Sequence, residues 1–244
     1  MNHHNPDGHR KTTDYHCHIL PGVDDGAKNQ NESIQMARLF ADAGYREVYC
    51  TPHLIKGMYE VSNEEVFHER DKLQRELEDE GIGIKLLVGR EYYLDEFLFD
   101  YINKPLLLEG TTCMMIEIPN NTAVDMVKET IFAVKRRGYT PLIAHPERCF
   151  LLETAQREPQ SAGRWKRWFS RGGAQNNDTE SCNELLRYFI QLGCQFQGNL
   201  GSIKGQYGGR VKASARNFEN NGVYTHAGTD AHSPDAVKDI LGLK

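Results

Sequence analysis

His16 and His18 stand two residues apart in the run Asp14-Tyr15-His16-Cys17-His18-Ile19-Leu20. Alternate side chains of a strand share a face, so both imidazoles can converge on one ion. An isolated His-x-His is more often structural; here its weight comes from the residues that recur behind it. His53 follows Cys50-Thr51-Pro52, Glu91 closes Leu87-Val88-Gly89-Arg90, and Glu117 ends Met114-Met115-Ile116. His145 ends Pro141-Leu142-Ile143-Ala144, and Asp230 with His232 follows Gly228-Thr229. Imidazole mixed with carboxylate, with no cysteine at equivalent places, suits divalent manganese, iron or zinc better than it suits a thiolate zinc site. The set exceeds one coordination sphere, so at least two ions are implied. A further acid comes from Gly22-Val23-Asp24-Asp25-Gly26, where Asp25 and Asp24 are rivals for the same role. Such a cluster lowers the pKa of bound water toward neutrality and holds phosphoryl oxygens during in-line attack, with no protein nucleophile.

Those residues need a scaffold that gathers them. Short β-branched and apolar runs alternate with helical patterns, which predicts βα units around a parallel sheet or barrel. Strands are expected over 13–18, 46–51, 84–91, 112–118, 140–145, 194–199 and 223–229, and in such a barrel the strand C-termini form the rim where sites are built. Ser62 with Glu65 is a capping box for a helix with Val66, Leu73 and Leu77 inward and Gly81 at its end. Thr122 with Asp125 is a near relative of that box, ahead of Val124, Val127, Ile131 and Val134. A third helix is expected from Asp178 or Thr179 to Leu192, with Leu185, Leu186, Phe189 and Ile190 inward and Gly193 closing it.

At 244 residues the chain suits one globular domain over 13–244 behind a polar tail, 1–12. A formal charge of −5 argues against a broad basic surface for nucleic acid. No run approaches the roughly 18 apolar residues that span a bilayer, and the polar start lacks a secretory signal, so a cytoplasmic protein without membrane insertion is expected. The six cysteines form no CxxC pair. A cysteine-dependent phosphatase would have Arg six positions after the nucleophile; those positions hold Val23, Lys56, Pro119, Ala155, Tyr188 and Leu200. One stretch, 149–177, turns basic and aromatic. It reads as a peripheral helix packing Trp165, Trp168 and Phe169, or as a lid or docking surface for an acidic or phosphorylated partner. His226 reads as a histidine supporting the ligands or as a core histidine, while His3, His4, His9 and His68 read as solvated.

The segment from Asp14 to Gly26, Thr51-Pro52-His53, Glu91-Tyr92-Tyr93, His145-Pro146-Glu147-Arg148 and Gly228-Thr229-Asp230-Ala231-His232 together resemble the PHP superfamily. Within it they resemble the bacterial manganese-dependent protein-tyrosine phosphatases of capsular and exopolysaccharide operons. The resemblance covers roughly 13–148 and 192–233. It implies a distorted (β/α)7 TIM-like barrel and two to three ions per chain, manganese first, with iron or zinc as alternatives. One ion would be held by His16, His18 and Asp230, with Glu91 bridging to a second that takes Glu117 and His145. The third would take Asp25, His53 and His232. Arg148 would bind the phosphoryl group, and with Asp25 and His232 would form the catalytic part. The family continues for a few dozen residues past Asp-x-His, often with another phosphate-binding arginine; here Lys238 stands in that region as a point charge.

The function implied is hydrolysis of phosphotyrosine on a protein by metal-activated hydroxide, the partner being an autophosphorylating tyrosine kinase that controls polysaccharide export. A phenol leaving group, with a pKa near ~10, needs less protonation than an alkoxide. Two alternatives stand beside it: a small-molecule phosphatase of the histidinol-phosphate type, and a non-catalytic metal- or phosphopeptide-binding homologue. Oligomeric state is not legible.

Overall fold

A computed structural model describes residues 13–153 and 183–243. The tail 1–12, the helix start at Asp178 or Thr179 and residues 154–177 of the basic stretch lie outside it. In chain order the described elements are β1 (Thr13–Cys17), α1 (Gln30–Asp42), β2 (Glu47–Cys50), β3 (His53–Leu54), α2 (Asn63–Asp79), β4 (Lys85–Val88) and β5 (Glu91–Tyr93). There follow α3 (Leu98–Tyr101), β6 (Cys113–Glu117), α4 (Val124–Arg136), β7 (Thr140–Ala144), α5 (Glu184–Leu192) and β8 (Gln195–Asn199). The last are α6 (Leu200–Lys204), α7 (Gly208–Asn220), β9 (His226–Gly228) and α8 (Pro234–Leu241).

All strand pairs are parallel, in two hydrogen-bonded sheets ordered β1-β2-β4 and β3-β5-β6-β7-β8-β9. The two sheets are one curled wall of seven staves, because β2 runs on into β3 and β4 into β5. The expected strands 46–51 and 84–91 are therefore each corrected to a strand, a break and a second short strand. Pro52 has no N–H to give the ladder. At the other break, a Cβ on Gly89 would sit 2.4 Å from the end of the buried Leu108 side chain, which would have to shift to admit it. The wall closes between β9 and β1. Asp230 N donates to His16 O (2.6 Å) and His18 N to Ala231 O (3.0 Å). Both Asp14 carboxylate oxygens accept from Thr229 N, at 3.2 and 3.0 Å. Burial pushes Asp14 up to about 7, against the pull of those backbone donors.

Helices α1, α2 and α8 pack Met36, Phe40, Leu73, Leu77, Val237 and Ile240 outside β1, β2 and β4. A second outer core gathers Ile131, Val134, Leu186 and Phe189 against β6, β7 and β8. The lower lumen is filled by Tyr49, Leu87, Met115 and Leu142, with Tyr15 against them. One extra residue in β1 between the Asp14–Val48 and Cys17–Cys50 pairs makes a bulge. It leaves Tyr15 with the lumen and turns Cys17 into the outer core, as its place between two ligands predicts.

The Ser62–Glu65 capping box forms as expected, with Val66, Leu73 and Leu77 buried. Thr122 does not cap α4: the helix begins at Val124 behind Ala123, with no side-chain cap. Asn183 takes the N-cap role of α5, accepting from Leu185 N and Leu186 N, and the described helix starts at Glu184. Ile190 is only partly buried there, and Gly193 closes the helix with φ 78°. Helix α8 completes the last unit, its exposed Lys238 turned to solvent.

Candidate metal centre

The strand ends, with Asp25 from the loop after β1, bring all nine expected ligands to one rim. His16 Nε2 lies 3.2 Å from His18 Nε2, 3.2 Å from Glu91 Oε2 and 3.2 Å from Asp230 Oδ1. His18 Nε2 is 3.4 Å from the same Glu91 oxygen and 3.1 Å from the same Asp230 oxygen. Donors bound at roughly 2.0–2.2 Å to a common ion sit roughly 3.0–3.5 Å from one another, so these atoms have the spacing of one coordination shell. His53 Nδ1 and Glu91 Oε2 point the same way: both are buried, neither makes a hydrogen bond, and they are 3.1 Å apart. A shared cation would satisfy both of these orphaned polar atoms at once. The residues present fit divalent metal.

Three groups can each hold an ion: His16, His18, Glu91 and Asp230; His53, Glu91 and Glu117; and His18, Asp25, His53 and His232. Glu91 is common to the first two. His145 Nε2 meets its other oxygen, Oε1, at 2.9 Å. Asp25 Oδ1 is 3.6 Å from His53 Nε2 and 3.5 Å from His232 Nε2, on the exposed edge of the cluster. The geometry thus separates the two rival acids. Asp24 is buried and accepts from His18 Nδ1 (2.7 Å), Gly26 N and His53 N, while Asp25 faces the donors.

The ring nitrogens facing away from the centre are tied down. Gln197 Oε1 accepts from His145 N (3.2 Å), so it is an acceptor toward His16 Nδ1 (2.9 Å), which must donate. His232 Nδ1 donates to Asp230 O at 2.9 Å. These partners fix each tautomer with Nε2 free for metal. Gln197 carries no ligand chemistry of its own and escaped the sequence reading. So did Asn199, whose amide donates to Asp230 Oδ2 at 3.1 Å. A polar alternation in Gln195-Phe196-Gln197-Gly198-Asn199 is the signal that was there to find.

His145 (φ 29°) and Asp230 (φ 54°) are the only non-glycine residues with positive φ among those described. That backbone region is costly for both, and persists only where neighbouring contacts hold it. After His145 the turn Pro146–Arg148 is pinned by Glu147, whose carboxylate accepts from Asn199 N (3.1 Å) and Tyr224 Oη (2.9 Å). The turn delivers Arg148, whose Nη2 donates to Asp230 Oδ2. Its Nε is buried and makes no hydrogen bond.

Charge is balanced within the cluster. Burial alone would depress His16, but Glu91 and Asp230 overcome it and raise the ring to about 9. Burial would likewise lift Asp24, and the His18 charge and its hydrogen bonds bring it down to about 2. Glu117 is raised by burial and by the neighbouring Glu91 charge. His226 is away from the centre, edge-on to Tyr15 with centroids 4.5 Å apart, and its burial lowers its pKa. His68 is exposed on α2. Five buried cysteines are free, and Cys182 lies outside the described residues.

A curled parallel sheet with a multi-histidine, multi-carboxylate rim and an adjoining arginine defines a PHP-fold protein. The chain belongs to the CpsB/CapC family of capsular polysaccharide synthesis, whose family model matches residues 12–159. It is 31% identical over 223 residues to the tyrosine-protein phosphatase YwqE of Bacillus subtilis (strain 168), covering 90% of this chain and 77% of that protein. It is 25% identical over 235 residues to the tyrosine-protein phosphatase CpsB of Streptococcus agalactiae serotype III, covering 93% and 86%. Among solved structures it is similar to those of YwqE from Bacillus subtilis and CpsB from Streptococcus pneumoniae, described as unique metal-dependent tyrosine phosphatases. That match has a TM-score of 0.71 at 27% identity, over 94% of this chain and 85% of the other. A histidinol phosphate phosphatase from Lactococcus lactis shares the fold alone, with a TM-score of 0.51 at 14% identity over 95% and 93% of the two chains.

Proposed function

We infer that this chain is a metal-dependent tyrosine-protein phosphatase of capsule synthesis. The observation that carries the reading is the convergence of eight donors on one rim, with His145 against Glu91 and Arg148 beside them. Divalent ions bound there lower the pKa of water toward neutrality and neutralise phosphoryl oxygens. The chain's own part is to hold and orient. His16, His18, Glu91 and Asp230 would hold one ion; Glu91, Glu117 and His145 a second; Asp25, His53 and His232 a third. Arg148 spends one donor on Asp230 and keeps the rest of its planar fork for phosphoryl oxygens, a geometry lysine lacks. Asp25 and His232 sit on the open side, where the ester would enter.

The mixture of imidazole and carboxylate supports manganese first, then iron or zinc. Membership of a capsular polysaccharide family supports, as substrate, a phosphotyrosine protein that is itself an autophosphorylating kinase of polysaccharide export. A cytoplasmic site of action follows from that substrate. The test combines elemental analysis with turnover of a phosphotyrosine peptide, an aryl phosphate and histidinol phosphate, with and without chelator. Chelator-sensitive hydrolysis that favours the aryl esters is expected, lost on His145→Ala. Stoichiometric metal with no turnover, or preference for histidinol phosphate, would overturn the reading.

A further inference from the structure

Arg148 is attached to the protein at its end by one carboxylate. A guanidinium held by a single anion is free to swing about that contact, and Asp230 would draw it wholly to itself. The ring of Tyr207 prevents this. The Arg148 guanidinium carbon lies over the Tyr207 ring, 3.9 Å from its centroid, in cation–π contact. Tyr207 is held in turn. It stands just before α7, in Gly205-Gln206-Tyr207-Gly208, where both flanking glycines have positive φ (97° and 88°). A Cβ on Gly201 would meet Gln206 Oε1 at 2.5 Å, Asn199 Oδ1 at 3.1 Å and Tyr207 Cε2 at 3.2 Å, so the ring lies between the crowded start of α6 and the arginine. The outer part of the ring is open to solvent, 41% exposed, on the rim that carries the metal ligands. Its hydroxyl is paired with the side chain of Asn199, which in turn holds Asp230.

We propose that Tyr207 is the positioning residue for Arg148, stacking its guanidinium so that the donors not engaged by Asp230 face the phosphoryl group. The proposal rests on the phosphate-binding reading of Arg148. The ring face does the work, so phenylalanine should serve and an aliphatic side chain should not.

The test measures KM and kcat for an aryl phosphate, the inhibition constant of inorganic phosphate, metal content and Tm for Tyr207→Phe, Tyr207→Leu and Arg148→Ala. Loss of a cation–π contact corresponds to about a 3- to 10-fold weakening. Tyr207→Leu is expected to raise KM and the phosphate inhibition constant by about that factor, with metal content unchanged and kcat moved less. Tyr207→Phe should restore both constants, and adding Tyr207→Leu to Arg148→Ala should cost nothing more. Tyr207→Met, which also lacks a ring face, should reproduce the weakening and serves if Tyr207→Leu does not fold. Unchanged phosphate inhibition in Tyr207→Leu, or in Tyr207→Met where that variant has to serve, while Arg148→Ala weakens it, overturns the role of Tyr207 alone. Unchanged inhibition in Arg148→Ala overturns the reading of Arg148 and the proposal with it.

Discussion

Gln197 ligates nothing, yet one of its oxygens serves both His16 Nδ1 and His145 N. Replacing it with leucine keeps the volume and removes the acceptor, leaving two buried donors unpaired and His16 free to turn. Gln197→Leu is expected to weaken metal binding about 10- to 100-fold, read by competition against a chelator, with the circular dichroism spectrum retained. Protons compete for the same nitrogens. In the metal-free protein His16 is raised to about 9 and His18 well above its ordinary value; for both, burial pulls down and the surrounding carboxylates prevail. At pH 7 both rings therefore carry protons that an ion must displace. Metal binding should release protons at neutral pH and tighten as pH rises toward about 9; calorimetry in buffers of different ionisation enthalpy reads this directly. Binding that is independent of pH between 6 and 8 would contradict it. The ligands themselves were legible because histidine and carboxylate are distinctive at strand ends. Gln197 was not: its contact with His16 spans 181 positions, and an amide has no diagnostic spacing.

The strands and helices differ in how much they tolerate. Closure of β9 on β1 depends on Gly228, where an added Cβ would lie 2.6 Å from His16 N and 2.7 Å from His16 Cβ. Both contacts are to a ligand-bearing strand that cannot yield. Gly228→Ala should cost about 1–3 kcal/mol or more in chemical denaturation and lower metal content with it. Ser62→Ala, at the other extreme, removes the cap of α2, which faces solvent and touches no ligand. It should cost about 1 kcal/mol and leave KM and kcat unchanged. Capping boxes and apolar periodicity are local, so α2 was readable in full. The breaks at Pro52 and Gly89 were not, because the space at Gly89 is limited by Leu108, a partner its own strand does not name.

Across the whole molecule the metal centre draws from strand ends all around the wall, from His16 to His232. An ion held there ties β1, β3, β5, β6 and the residues after β7 and β9 to one point and exists only in the folded chain. At free metal about 1,000-fold above Kd this linkage contributes about 4 kcal/mol. Chelation should then lower Tm on the order of 10 °C for a chain of this size, read by differential scanning fluorimetry. Among the described residues no helix is long and apolar enough to cross a membrane. Residue types at the ends of apolar runs pointed, by themselves, to the parallel α/β wall, its rim and eight of the candidate donors, because ligand chemistry and strand periodicity are properties of short segments. Tertiary structure alone decided which donors share an ion, that Asp25 rather than Asp24 faces them, and that Gln197, Asn199 and Tyr207 hold the working side chains. Those roles are made by closure, which brings residues far apart in the chain within hydrogen-bond distance, and no local pattern encodes that distance.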